Sequence, residues 1–148
     1  MLPHAWKHLW SCGFLTVACC VPVGSSYAAE PFTFIALPDT QNYVNSSLNA
    51  PFFTDQTQWI ADQVLQEGNP RNIQFVSHLG DWVSSAGDAI QWQRADESIS
   101  ILDGVVKYSV LPGNHDYLTT SVKRSGTDND NSYFGPSRFA SEEWRAYK

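Results

Sequence analysis

The strongest constraint on this chain is a pattern that occurs three times. A run of β-branched and aromatic residues is followed at once by a turn crowded with polar groups. Phe32–Leu37 stops at Pro38 and gives way to Asp39-Thr40-Gln41-Asn42; Ile73–Leu79 stops at Gly80-Asp81; Val105–Leu111 stops at Pro112-Gly113-Asn114-His115-Asp116. Runs of this composition, bounded by Gly, Pro, Asp and Asn, read as buried strands.

Two helical segments separate them. After a polar, turn-rich loop over 42–53, Thr54 is the expected cap of a helix reaching Glu67, with Trp59, Ile60 and Val64 on or near one face, Gln63 beside them, and Gly68 as its stop. Asp88, with Gln91 three residues on, has the spacing of a capping box for the second helix. Trp92, Ala95, Ile99 and Leu102 recur along it as a core face, and Gly104 closes it. The order β-α-β-α-β implies an α/β fold with mostly parallel strands covered by helices. In such sheets the ligand crevice lies outside the carboxyl ends of the strands, where all three polar clusters fall. A polar loop over 117–137 follows, then Tyr133–Phe139 and a short final helix, Ser141–Lys148. No internal repeat and no second domain is visible.

Composition narrows the class. The 148 residues are 43% hydrophobic and 16% charged, which suits one globular unit rather than a disordered or fibrous chain. Fifteen acidic residues against nine basic ones give a net charge of −6, and the longest basic run is Lys123-Arg124. A nucleic-acid grip needs clustered Lys and Arg, so none is expected. All three cysteines lie in the first twenty residues, which excludes a disulfide scaffold or thiolate metal site from the rest of the chain.

Those first residues look like a targeting segment. Lys7 precedes an apolar stretch from Leu9 to Val23, and Ser26 and Ala28 occupy the small positions of a cleavage site, with the cut expected after Ala28. Residues 1–28 are therefore read as a signal peptide and 29–148 as the mature domain, secreted or periplasmic, with no membrane span after signal removal. A membrane anchor fits less well, because the stretch is interrupted by Gly13 and Pro22 and falls short of the roughly 20 residues a span needs. A lipoprotein cut before Cys19 is the third option; Thr16 stands where an aliphatic residue is preferred.

The strand-end groups form a chemical set. Asp39, Gln41, Asp81, Asn114 and Asp116 offer hard oxygen atoms and His115 one imidazole, donors suited to Mn, Mg, Fe or Zn. Gly80 and Gly113 allow the sharp turns that aim the next side chain into the crevice. Alone, each cluster is an ordinary turn; three in succession, 42 and 33 positions apart when counted Asp39 to Asp81 to Asn114, are not. His78 reads as a satisfied sheet residue rather than a ligand.

At these residues the chain resembles the calcineurin-like metallophosphoesterases, whose first blocks are D-x-H, G-D and G-N-H-[DE], each after a strand. The resemblance covers roughly residues 32–139, and Gly113-Asn114-His115-Asp116 is its most specific part. It implies a four-layer α/β/β/α sandwich and a two-metal phosphoric ester hydrolase. Carried over by position, Asp39 and Gln41 belong to the first metal, Asp81 bridges both and Asn114 holds the second. His115 stabilises charge or protonates the leaving oxygen, and Asp116 orients it. Two divalent ions about 4 Å apart would activate a bridging water for in-line attack on phosphorus. A bridging ligand has to offset cation repulsion, which suits Asp at 81; a neutral amide oxygen suits Asn at 114.

Two departures qualify the resemblance. Gln41 stands where the family usually has His, which shifts metal preference toward harder ions such as Mn or Mg. A secreted-type branch of the family carries D-T-Q here, and the Tyr133–Phe139 segment is similar to that branch too. The family's later blocks, an isolated His and a G-H-x-H, do not occur before Lys148. The chain is thus expected to be the front half of the sandwich, a fragment or a truncated product, inactive by itself and with an apolar sheet face (Phe32, Phe34, Phe75, Val110) left open.

Two further readings stand beside the phosphate-ester hydrolase. One is a non-catalytic secreted α/β binding module that keeps a degenerate metal site; the other takes the acidic groups as solvated turns. Arg138 and the 117–137 loop are expected to flank a phosphate pocket, with pairing of Arg138 to Glu142 or Glu143 as the alternative.

Overall fold

A computed structural model describes residues 30–119 and 132–140. The expected signal segment and the expected helix Ser141–Lys148 lie outside the described residues.

Three strands, β1 (Thr33–Leu37), β2 (Ile73–His78) and β3 (Tyr108–Ser109), form a parallel sheet in the order β1-β2-β3. The crossovers run through α2 (Ala50–Leu65) and α3 (Ala89–Ile99). The β-α-β-α-β order of a parallel α/β fold is therefore present. Register fixes which side chains share a face, because alternate residues point to opposite sides. Ile35 pairs with Val76, Leu37 with His78 and Val76 with Tyr108, so these five line one face. Phe34, Ala36, Phe75, Ser77 and Ser109 occupy the other.

The first face is the core. Phe53, Thr57, Ile60 and Ala61 of α2 are buried, as are Trp92, Ala95, Ser98 and Ile99 of α3. Each fully buried large apolar side chain contributes roughly 1.5–3 kcal/mol. Where the two helices meet, Thr57 Oγ1 donates to Ser98 O at 2.8 Å and Thr54 Oγ1 lies 3.0 Å from Ser98 Oγ, so the hydroxyls buried at this seam are satisfied. On the opposite face Phe34 and Phe75 stack at 5.8 Å, and Phe34 remains 53% exposed. Phe32 is exposed beside them, so three of the four residues expected on an open apolar face are here, whereas Val110 packs against the core instead.

Several boundaries differ from the sequence reading, each for a local reason. The 42–53 loop contains a short helix, α1 (Gln41–Val44), and α2 begins at Ala50 with Pro51 in its first turn, where a missing N–H costs nothing. Thr54 is inside α2 and its hydroxyl bonds back to Ala50 O at 3.4 Å. Trp59 is 49% exposed rather than core; it lies under the Arg71 guanidinium, 5.4 Å from the ring centre. The third strand is only two residues long. Val105 and Val106 have strand composition, but their N–H groups are spent on Leu102 O at 3.0 and 3.2 Å, closing the turn after α3.

At α3 the expected capping box is half present. Asp88 Oδ1 accepts from Ile90 N at 2.9 Å, as an N-cap should. Gln91 does not return the bond to the cap's backbone. Its Nε2 donates to Asp88 Oδ2 at 3.1 Å and its Oε1 accepts from Ser84 N and Ser85 N at 2.8 and 3.2 Å. The residue thereby anchors the loop that follows the second polar cluster.

Candidate metal centre

Strand ends place the three clusters side by side. Leu37 and His78 are partners in the sheet, so Pro38-Asp39 and Leu79-Gly80-Asp81 leave it together. Thr40 N donates to Asp81 O at 3.2 Å, which joins the first cluster to the second. Asp81 Oδ1 accepts from His115 N at 2.8 Å, which joins the second to the third. Asp81 is thus the residue on which all three converge.

Its backbone is unusual. Asp81 has φ 54°, a left-handed conformation that costs a non-glycine residue on the order of 1 kcal/mol unless its surroundings fix it. Gly80 before it has φ 98°, and a Cβ there would come within 2.6 Å of Gly113 N. A Cβ on Gly113 would come within 2.1 Å of Asp81 Oδ1. Gly80 is therefore needed both for its left-handed backbone and for close approach, and Gly113 for close approach: the two turns touch so tightly that only hydrogen fits between them.

At the first cluster, Asp39 Oδ1 accepts from Gln41 N at 2.8 Å, an Asx-type turn that starts α1. Asp39 Oδ2 accepts from Gln41 Nε2 at 2.7 Å. Carboxylate and amide heads are in contact. The amide turns its NH2 to the carboxylate. Rotation of the amide would set two oxygen atoms side by side, an arrangement favourable only with a cation present.

The third cluster is held by Asp116, which is fully buried. Its Oδ2 accepts from Gly113 N at 2.7 Å and its Oδ1 from Val83 N at 3.2 Å. The His115 ring is fixed elsewhere than expected: Nδ1 lies 3.2 Å from Ser84 O. A carbonyl can only accept, so Nδ1 carries a proton and Nε2 is the nitrogen left for exchange. Asp116 reaches the imidazole through the backbone, since it holds Val83 N and the carbonyl of the following residue, Ser84 O, holds the ring. Gln91 fixes the same loop from α3. Asn114 sits exposed between Gly113 and His115.

The sequence reading missed the layer beneath these groups. Thr40 and Trp82, both fully buried, interleave with the candidate ligands, and His78 lies under them. The signal was available in part: a His closing a strand just before Gly-Asp, and a Thr between Asp and Gln. His78 is satisfied in the core, as expected; burial pushes its pKa down to about 3, so it stays neutral.

Arg138 does not flank this site. It forms ion pairs with Asp96 and, at 3.1 Å, with Asp103, and its Nε donates to Tyr108 Oη at 2.5 Å. Those partners lie on α3, on the turn after it and on β3, so the guanidinium clamps the Pro136–Phe139 segment onto the helix layer. The expected place beside a phosphate pocket gives way to this clamp because two carboxylates and a phenol outcompete solvent for the planar fork; Glu142 and Glu143, the alternative partners, lie outside the described residues.

Among the described residues, no three of His, Cys, Asp and Glu gather as a metal-holding group. The candidate donors shown in contact are the Asp39 carboxylate and the Gln41 amide, joined to Asp81 through the backbone of Thr40; hard oxygen donors of this kind suit a hard divalent ion. No helix among the described residues is long and apolar enough to cross a membrane.

No protein-family model matches the chain, and no solved structure matches it. The chain is similar to the uncharacterized protein YvnB of Bacillus subtilis (strain 168), with 39% identity over 115 residues. That alignment takes in 76% of this chain and 8% of YvnB, so the chain spans a small part of the length of the curated relative it matches.

Proposed function

We propose that this chain carries the front part of a metal-dependent phosphoric ester hydrolase, of the calcineurin-like type that its three motifs resemble. The observation that carries the reading is the convergence on Asp81, whose carbonyl and carboxylate oxygens receive N–H groups from the first and third clusters respectively.

Asp39 and Gln41 would hold one divalent ion, Asp81 both, and Asn114 the second. The hard donor set favours Mn or Mg, with Fe or Zn less well served because Gln41 replaces an imidazole. When bound, the ions supply Lewis acidity toward a phosphate ester and its attacking water. The chain's own residues do the rest. His115, its Nδ1–H committed to Ser84 O, would take up a proton on Nε2 and pass it to the departing oxygen. Asp116 and Gln91 hold the loops that set the ring's position.

A non-catalytic binding module is the second reading. It is favoured by Gln41, whose amide hydrogen-bonds Asp39 at the position where the resembled family has an imidazole. The test is Mn titration of the chain by calorimetry, with hydrolysis of p-nitrophenyl phosphate and bis(p-nitrophenyl) phosphate assayed on the full-length gene product. On the hydrolase reading Asp81→Asn removes more activity than Gln41→His, because position 81 serves both ions. Equal losses would argue against the bridging role, and Mn binding with no turnover of either ester would favour the binding module.

Export belongs to the proposal. The exported protein should begin at Ala29 when its N-terminus is sequenced, and an intact Met1 in that fraction would overturn it.

A further inference from the structure

We propose that His78 is a positioning residue of the metal centre, a neutral imidazole that fixes the Asp39–Gln41 loop and the Asp81 turn relative to each other. This role rests on the metal-centre reading above.

His78 is the last residue of β2 and is fully buried. Its ring stacks on Trp82 with centroids 3.5 Å apart and planes 17° from parallel, and Phe53 lies against it at 5.8 Å. Both ring nitrogens are engaged. Gly80 N lies 3.1 Å from Nδ1, and a backbone N–H can only donate, so Nδ1 is bare. In a neutral ring the proton is then on Nε2, which lies 3.1 Å from Thr40 Oγ1 and donates to it. The Thr40 hydroxyl, having accepted, donates onward to Trp82 O at 3.3 Å.

These bonds enclose the candidate ligands. Gly80 and Trp82 are the neighbours of Asp81, and Thr40 stands between Asp39 and Gln41. Thr40 N closes the ring by donating to Asp81 O. The left-handed backbone of Asp81 is therefore held on both sides by one side chain, and the same side chain sets the height of the first cluster. Only an imidazole does this with one rigid plane: it offers an acceptor to its own strand end and a donor to the neighbouring loop. An Asn could mimic Nδ1 but not reach Thr40, and a Gln could reach Thr40 but not serve Gly80 in the same pose. A ligand shell set from behind in this way typically loses 10- to 100-fold in metal affinity when its support is removed.

The test uses the full chain and Mn alone as probe. Thr40→Val keeps the shape and removes the hydroxyl; Thr40→Ser keeps the hydroxyl. Calorimetric titration should find Mn affinity about 10- to 100-fold weaker in Thr40→Val and close to wild type in Thr40→Ser. Equal Mn affinity in all three proteins, even with a lowered Tm for Thr40→Val, would overturn the positioning role. A second measurement needs no variant: long-range 1H–15N correlation at pH 7 should find His78 neutral with its proton on Nε2, and a proton on Nδ1 would overturn the arrangement. Wild-type chain that takes up no Mn overturns the metal-centre reading and this role with it, whereas Mn uptake indifferent to position 40 overturns this role alone.

Discussion

Asp81 and Gly113 meet so closely that a single methyl group on the glycine would lie 2.1 Å from the Asp81 carboxylate oxygen and 2.2 Å from its amide nitrogen. The second and third strand ends are thus locked in contact at the residue proposed to serve both ions. Gly113→Ala forces these turns apart. Overpacking of this kind costs about 1–3 kcal/mol, and the displaced carboxylate should also lose Mn. Urea unfolding and Mn titration of the variant check both effects; unchanged Mn affinity would argue against Asp81 as a ligand.

Asp116 accepts two backbone N–H groups in a fully buried site. Asp116→Asn leaves one acceptor oxygen for two donors and turns an NH2 group toward an N–H. A buried donor left unpaired costs about 1–3 kcal/mol, so the variant should unfold at correspondingly lower urea. Because Val83 and Ser84 are neighbours, the His115 ring should also lose its fixed partner. Its Nδ1 proton should then exchange with solvent faster than in the wild type, as read from NMR spectra.

His78 makes stability depend on pH. Its folded pKa is about 3 against an ordinary value of 6.5, so the unfolded chain takes up a proton that the folded chain refuses. The contribution is complete above pH 6.5 and is lost as pH falls from there toward 3. The slope is about 1.4 kcal/mol per pH unit in that window. Urea melts at pH 7 and pH 5 should differ accordingly, while the His78 ring resonances stay those of a neutral imidazole until the fold is lost.

Arg138 binds Asp96, Asp103 and Tyr108 with side chains on both sides partly open to water: Asp96 is 33% and Asp103 50% exposed. Arg138→Lys keeps the charge and loses the planar fork. Since both carboxylates can be rehydrated, the expected loss is only about 1–2 kcal/mol. Mn affinity should not change. A fall in Mn affinity matching that of Asp81→Asn would return Arg138 to the site.

Much of the architecture was legible in residue order alone. Strand composition and helix periodicity depend on local burial, so the β-α-β-α-β order, the buried Trp92, Ala95, Ile99 and Leu102, and the placing of three polar clusters at strand ends could all be read without coordinates. Backbone hydrogen bonding is not written in composition. Val105 and Val106 look like strand and instead close a turn, because Leu102 O competes for their N–H groups. The partner of the His115 ring was also beyond reach. Sequence adjacency suggested Asp116, but a neighbour in sequence at a sharp turn points elsewhere, and the ring instead finds a carbonyl 31 positions away. Arg138, Asp96, Asp103 and Tyr108 were equally unreadable as a set, since charge attraction chooses partners only after packing has brought the chain segments together. What the sequence determined is which groups stand at the strand ends; which atoms they hold was decided by tertiary contacts between loops that no local pattern encodes.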